Sequence, residues 1–467
     1  MIKKLVIGIS AWATAASGLL IGRSWSSNDI VFGNYSDYIS SDVAQELREK
    51  YQLRVDLFDY DHLVKERFQK GIYDMAIVST SVLSELKSSN AAMKLDWSKL
   101  LKKEDVTNSG NGQLDSNTAL SKARELFTDI VKDMSHDLLE YGIPYFVQKL
   151  SFYYIGDPIE GLRDGQKVSF KDLVNKVSNE PRFKSQGGKP QLGLIDDPRT
   201  VLSFARKVAG KQDVNPKEND YPDSNSILKD YRSLIDNGLS RDKLGKDFLL
   251  MSPDSGTLVD ALSGGDIKGA FMYNGDGLFA AYGGNAKKEP EKFHTVELSE
   301  NIFFLDFLTF SEKMPKHKLE NAYKLAKDLL FITEANKENP FKRKGGDGSS
   351  KEEENDEEDS TDASNNGEDD DEPPYEEMAI RNFDEVGYTP TLKSVYEKLD
   401  KDYFDINDEP AKPATEGTEK IKSKLKSKII KVEKTVGGKL EHEYEKQISA
   451  QQKSDMLIAY SNFKLLI

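Results

Sequence analysis

Short apolar runs of strand length recur along this chain with helix-patterned segments between them, and that alternation restricts the fold more than any other feature. Ile30 to Phe32 reads as a strand, followed by a helix that Ser41 caps and whose apolar positions Val43, Leu47 and Tyr51 recur every four residues. Arg54 to Phe58 alternates with period two, Leu63 to Phe68 gives a short helix, and Asp74 to Val78 is a second apolar strand ending at Ser79, Thr80 and Ser81. A second block begins after Ile143-Pro-Tyr145. There Gln191 to Ile195 runs into Asp196-Asp-Pro-Arg-Thr200 and a helix marked by Val201, Phe204 and Val208. Lys268 to Tyr273 reads as a strand closed by Asn274 to Gly277, and Asn301 to Asp306 as another, leading through Phe307 to Phe310 into a long helix that reaches Phe331. Strands separated by helices of this length predict parallel sheets with right-handed crossovers, in which ligands sit beyond the carboxyl ends of the strands.

The residues at those strand ends are aromatic or acidic. Val31 to Tyr38 places Tyr35, Asp37 and Tyr38 on the turn after the first strand, groups that suit a cationic, partly aliphatic ligand. Ordinary core packing is the alternative role for any one of these aromatics, and Asp197 and Asp306 have a helix-capping role as theirs.

Outside the sheets, Lys3 and Lys4 precede an uncharged run from Leu5 to Gly22, with Arg23 next. This reads as an export signal or an N-terminal membrane anchor, an uncleaved anchor being preferred, and it places everything after Arg23 outside the cytoplasm. Cysteine is absent, which excludes disulfides, thiolate metals, cysteine nucleophiles and a lipid-acceptor thiol. The net charge of −15 is local: thirteen Asp and Glu lie between Glu352 and Glu372, leaving −2 for the rest, so a broad basic surface for nucleic acid is excluded. That acidic run, flanked by glycines and by Pro373-Pro374, reads as a solvated, disordered insert. No phosphate loop, His-Glu-x-x-His or Gly-x-Ser-x-Gly element is present and the five histidines are scattered, so the expectation is no enzyme, no metal and no cofactor.

Seven short motifs in order resemble the spermidine/putrescine-binding proteins of bacterial polyamine ABC transporters, within the type 2 periplasmic binding fold. Asn34-Tyr-Ser-Asp-Tyr38 resembles the family's Asn-Trp-x-Glu-Tyr, Tyr73 to Thr80 its Tyr-Asp-Leu-Val-Val-Pro-Ser-Thr strand, and Ile143-Pro-Tyr145 its Ile-Pro-Tyr. Asp196-Asp-x-Arg199, Tyr273-Asn-Gly275, Phe304-Leu-Asp306 and Gly387-Tyr388-Thr-Pro390 resemble its later motifs. The resemblance implies an α/β, two-lobed periplasmic-binding-protein type 2 fold, each lobe a mixed, mostly parallel sheet flanked by helices, with the ligand cleft between lobes. It assigns Asp306 to the central amine of a polyamine, Asp197 and Asp37 to the terminal ammoniums, Tyr35, Tyr38, Tyr273, Phe304 and Tyr388 to an aromatic box, and Ser79, Thr80 and Ser81 to polar contacts. Such rings contribute about 0.5–2 kcal/mol per ammonium. The chain departs from the pattern at Thr200, where the family has a carboxylate, and in carrying Tyr or Phe for three tryptophans; a family glutamine corresponds on spacing alone to Gln447.

The implied partners are a polyamine, an ABC permease and, through it, a cytoplasmic ATPase, with membrane contact through the N-terminal segment. Another small organic cation or a metal-bound solute is the alternative ligand, and a surface interaction protein or adhesin that has lost transport is the alternative class. Implied boundaries are 1–25 for signal or anchor, 26–140 and 306–400 for the first lobe, the latter holding the insert 342–375, and 141–305 with a helical 401–467 for the second. Lys99 to Ser121 reads as a polar loop, and Lys420 to Leu440 as an amphipathic lysine-rich helix docked on the second lobe or lying on anionic lipid.

Overall fold

A computed structural model describes residues 27–101, 115–163, 166–217, 220–282, 293–332, 376–399 and 443–467. The N-terminal apolar run, the acidic insert and the Lys420 to Leu440 helix lie outside the described residues. Strands in chain order are β1 (Ile30–Asn34), β2 (Leu53–Leu57), β3 (Met75–Ser79), β4 (Gly142–Ile155), β5 (Lys167–Val168), β6 (Leu192–Ile195), β7 (Leu249–Ser252), β8 (Gly269–Tyr273), β9 (Phe293–Leu298), β10 (Ile302–Phe310), β11 (Thr389–Pro390) and β12 (Glu443–Tyr444).

The main sheet path runs β2-β1-β3-β10-β4-β8-β6-β7. On one side β1 lies parallel to both β2 and β3, and on the other β6 lies parallel to β7 and β8. These are the expected crossover units, with helices such as Ser41–Tyr51 and Pro198–Val208 between the strands. Between the two parallel sets stand β10 and β4, both antiparallel to their neighbours on this path, while β12 pairs with β10 in parallel off it. The 14-residue β4 pairs with β10 through its first half and with β8 and β9 through its second, so one strand belongs to both lobes. Its length was not legible because it is almost wholly buried and shows no period of two.

Three readings are corrected. Asp306 does not lead into a helix: β10 continues to Phe310, and the next helix is Lys316–Leu330. Asn274 to Gly277 is the first turn of helix Asn274–Tyr282, not a closing loop. The segment Lys99 to Ser121 ends in a helix, Ser116–Arg124, because Asp115 caps it through the Asn117 and Thr118 N–H groups.

The final helix, Ala450–Leu466, opens with a Ser449–Gln452 capping box and packs on helix Ser224–Asp236 of the second lobe, stacking Tyr460 and Phe463 against Tyr231. Its Lys453 reaches across to Glu85 of the first lobe at 3.0 Å.

Candidate functional site

The junction of β3, β10 and β4 forms the floor of a cavity of about 410 Å³ between the lobes. Strand register explains the placement: Asp306 stands opposite Ser79 on β3, and Phe304 opposite Gln148 on β4. The β10–β4 ladder shifts between Leu305 and Phe307, an irregularity that re-aims the residue inside it, Asp306, as bulges beside functional sites do.

Asp306 is 5% exposed, and its Oδ2 accepts the Tyr38 hydroxyl at 2.6 Å together with the Gln148 amide, which also reaches Tyr38. Among the described residues Oδ1 receives no hydrogen bond and no Lys or Arg nitrogen lies within 4 Å. Burial pushes the Asp306 carboxyl up to about 7; Asp61 and Glu445 add to the rise, while the Tyr38 and Gln148 hydrogen bonds oppose it. The support behind Tyr38 is fixed, since the Tyr145 hydroxyl donates to the Tyr38 carbonyl at 2.9 Å and the Asn382 amide donates to Tyr145 at 2.9 Å.

Aromatic rings line the rest. Tyr35 meets Tyr38 edge-on at 5.5 Å, Tyr388 lies 4.9 Å from Tyr38, and Tyr273 meets Phe304 at 5.2 Å. Tyr388 rests on Gly275, where a Cβ would fall 2.4 Å from the ring, so the glycine of the Tyr-Asn-Gly motif is required by close approach. The Tyr388 hydroxyl donates to Asp276, whose carboxyl burial raises to about 7.

Asp197 does cap helix Pro198–Val208, accepting the Thr200 N–H at 2.7 Å with Pro198 in the first turn, and it lines the cavity as well. Thr200 exchanges a hydrogen bond with the Tyr273 hydroxyl at 2.9 Å. Ser79 caps helix Thr80–Ser88 through the Val82 N–H, and the Thr80 hydroxyl is spent on the Leu305 carbonyl.

Eleven of the thirteen residues expected from sequence line this one cavity. Asp37 does not: it takes a left-handed φ of 52° and sits exposed at the rim, where its carboxylate lies against Gly256 of the opposite lobe. Gln447 is exposed and also outside, while Glu445 two residues earlier lines the cavity. Sequence reasoning also missed Asp61 and Gln148. Asp61 stands just past the end of β2, so the strand-end logic applied to the other acids reaches it too.

The architecture is that of the two-lobed type 2 periplasmic-binding-protein fold. A putative spermidine/putrescine ABC transporter protein from Listeria monocytogenes superposes with a TM-score of 0.55 at 15% identity, covering 94% of this chain and 99% of that one. The chain itself belongs to the MG045 family of hypothetical lipoproteins, which it matches over residues 2–458. A spermidine/putrescine ABC transporter substrate-binding protein from Streptococcus pneumoniae gives 0.49 at 14% identity over 94% and 99% of the two chains. A eukaryotic thiaminase-I bound to 3-deazathiamin gives 0.49 at 11% identity over 94% and 100%. None of the curated proteins matches the sequence.

Proposed function

We propose that this protein is an extracytoplasmic solute-binding protein that captures a polyamine between its lobes and delivers it to an ABC permease driven by a cytoplasmic ATPase. The observation that carries this is Asp306: a buried carboxylate on the cavity floor, held by neutral donors and given no cation by the described residues. Desolvating a carboxylate without a partner is unfavourable, so a cationic ligand that supplies the partner binds where its charge is most needed. The rings of Tyr35, Tyr38, Tyr273, Phe304 and Tyr388 offer faces to ammonium groups and flat walls to methylene chains. β4 shared between the lobes supplies a hinge about which they close. The MG045 lipoprotein family and the transport description of the Listeria protein support the location and the partner class.

Thermal unfolding of the protein with and without spermidine and putrescine tests the reading. A ligand at one hundred times its dissociation constant stabilises by about 2.7 kcal/mol. No shift with either amine at millimolar concentration removes the polyamine assignment, and a shift with a different organic cation redirects it.

A further inference from the structure

Two carboxylates outside every motif used above face the same cavity. Asp61 opens the short turn Asp61–Leu63 and accepts the Ser79 N–H through Oδ2 at 2.9 Å; the Tyr35 hydroxyl bonds to it, and no Lys or Arg lies within 4 Å among the described residues. Glu445 follows β12, whose parallel pairing of Tyr444 with Phe303 carries it alongside Phe304. The Glu445 side chain is 11% exposed; Ser203 donates to Oε1 at 2.6 Å, and Arg199 Nε stands 4.0 Å from Oε2.

These two and the earlier pair act on one another. Asp61 raises Asp306, Asp197 and Glu445, and Asp197 raises Glu445. Asp61 and Asp306 come from the first lobe, Asp197 from the second, and Glu445 from the C-terminal segment that docks on the second. Tyr60 lines the same cavity, where burial and then Asp196 and Asp197 from across the cleft raise its hydroxyl. Of the cavity's other basic groups, Lys453 shares Glu85 with Lys65, Lys464 pairs with Asp196, and His62 adjoins Asp61. Besides Asp61, Asp197, Asp306 and Glu445, the carboxylates of Asp59 and Asp254 line the cavity, against the single guanidinium of Arg199, and Asp306, more than nine-tenths buried, has no Lys or Arg within 4 Å among the described residues.

We infer that Asp61 and Glu445 are ligand-binding residues that, with Asp197 and Tyr60, form a second cation subsite, and that this subsite makes affinity depend on the number of positive charges a ligand carries. The inference rests on the proposed capture of an organic cation and adds to it the residues that count its charges. A group at Asp306 neutralises only one end of the acidic surface; a further ammonium is held where the two lobes present Asp61 and Glu445 to each other.

Calorimetric titration of the full chain at fixed ionic strength, with linear aliphatic amines carrying one, two and three ammonium groups, tests this. Asp61→Asn, which keeps an acceptor for the Ser79 N–H, and Glu445→Gln, which keeps one for Ser203, should each weaken the triammonium ligand tenfold or more. They should weaken the monoammonium ligand less than threefold and leave the ligand-free melting temperature no lower. Parent-like affinity for the triammonium ligand in both variants overturns the subsite while leaving the cation-binding reading intact, as does an equal loss across all three amines. If the parent protein binds none of them, the cation-binding reading itself falls and the subsite falls with it.

Discussion

In the second lobe Asp230, as buried as Asp306, receives Arg206 at 3.2 Å and Lys211 at 2.8 Å, with the Tyr221 hydroxyl on the same carboxylate. In the cleft Asp306 receives a hydroxyl and an amide. Both are carboxylates removed from water, but the first is paired with cations and, among the described residues, the second is not. On the proposed function the difference separates a charge that holds the fold together from one that a ligand pairs, and each substitution below tests whether that separation is real.

The largest effect is expected in the lobe. Asp230→Ala leaves the Arg206 guanidinium, itself 3% exposed, without its closest buried acid, and breaking such a pair costs about 3–5 kcal/mol of stability. Denaturant unfolding should show that loss, while amine affinity of the folded fraction stays within about twofold, because Asp230 does not line the cavity. A fall in affinity as large as the fall in stability would erase the distinction.

Asp306→Asn should do the reverse. Removing the partner of a desolvated ligand charge costs about 2–5 kcal/mol of binding, a factor of about thirty to several thousand in the dissociation constant. The amide still accepts from Tyr38, and the unfavourable buried charge is gone, so the ligand-free protein should melt no lower than the parent. Unchanged affinity in a stably folded variant would remove the central residue from the site.

The smallest effect separates the regions by pH. The carboxyls of Asp306 and Glu445 are raised to about 7, against an ordinary carboxylate value of about 4. The stability they contribute is fully present below about pH 4 and is lost as pH rises through about 7, so the ligand-free protein should melt lower at pH 8 than at pH 6. Cation affinity runs the other way, rising several-fold over that interval as the groups ionise. Melting temperature and affinity measured at pH 6, 7 and 8 check both slopes, and Asp306→Asn should reduce each while Glu445 and Asp276 keep their share.

Much of this cavity was legible because its residues follow strands, and a strand end is visible wherever an apolar run meets a turn. Tyr35, Ser79, Asp197 and Tyr273 each stand at such a point. Asp306 was assigned by motif while its local structure was misread: the strand carries on past it, and nothing in the Phe307 to Phe310 run, apolar but for Thr309, signals whether the next element is strand or helix. Asp37 stands outside the cavity lining, with a left-handed backbone, and one residue of positive φ leaves no periodic trace in a sequence. Glu445 was out of reach for a different reason. Its place depends on a two-residue parallel pairing with β10, a contact between parts of the chain far apart in sequence that local propensity does not encode.

The helix Ala450–Leu466 gives the cleft an order of assembly. It packs on the second lobe, offers Lys453 to Glu85 of the first, and follows directly after Glu445. On the ribosome every other wall of the cavity emerges before this segment does. The nascent protein can therefore build both sheets and still present an unfinished mouth, and any chain cut between Pro390 and Glu443 keeps its floor while losing the piece that spans the two halves.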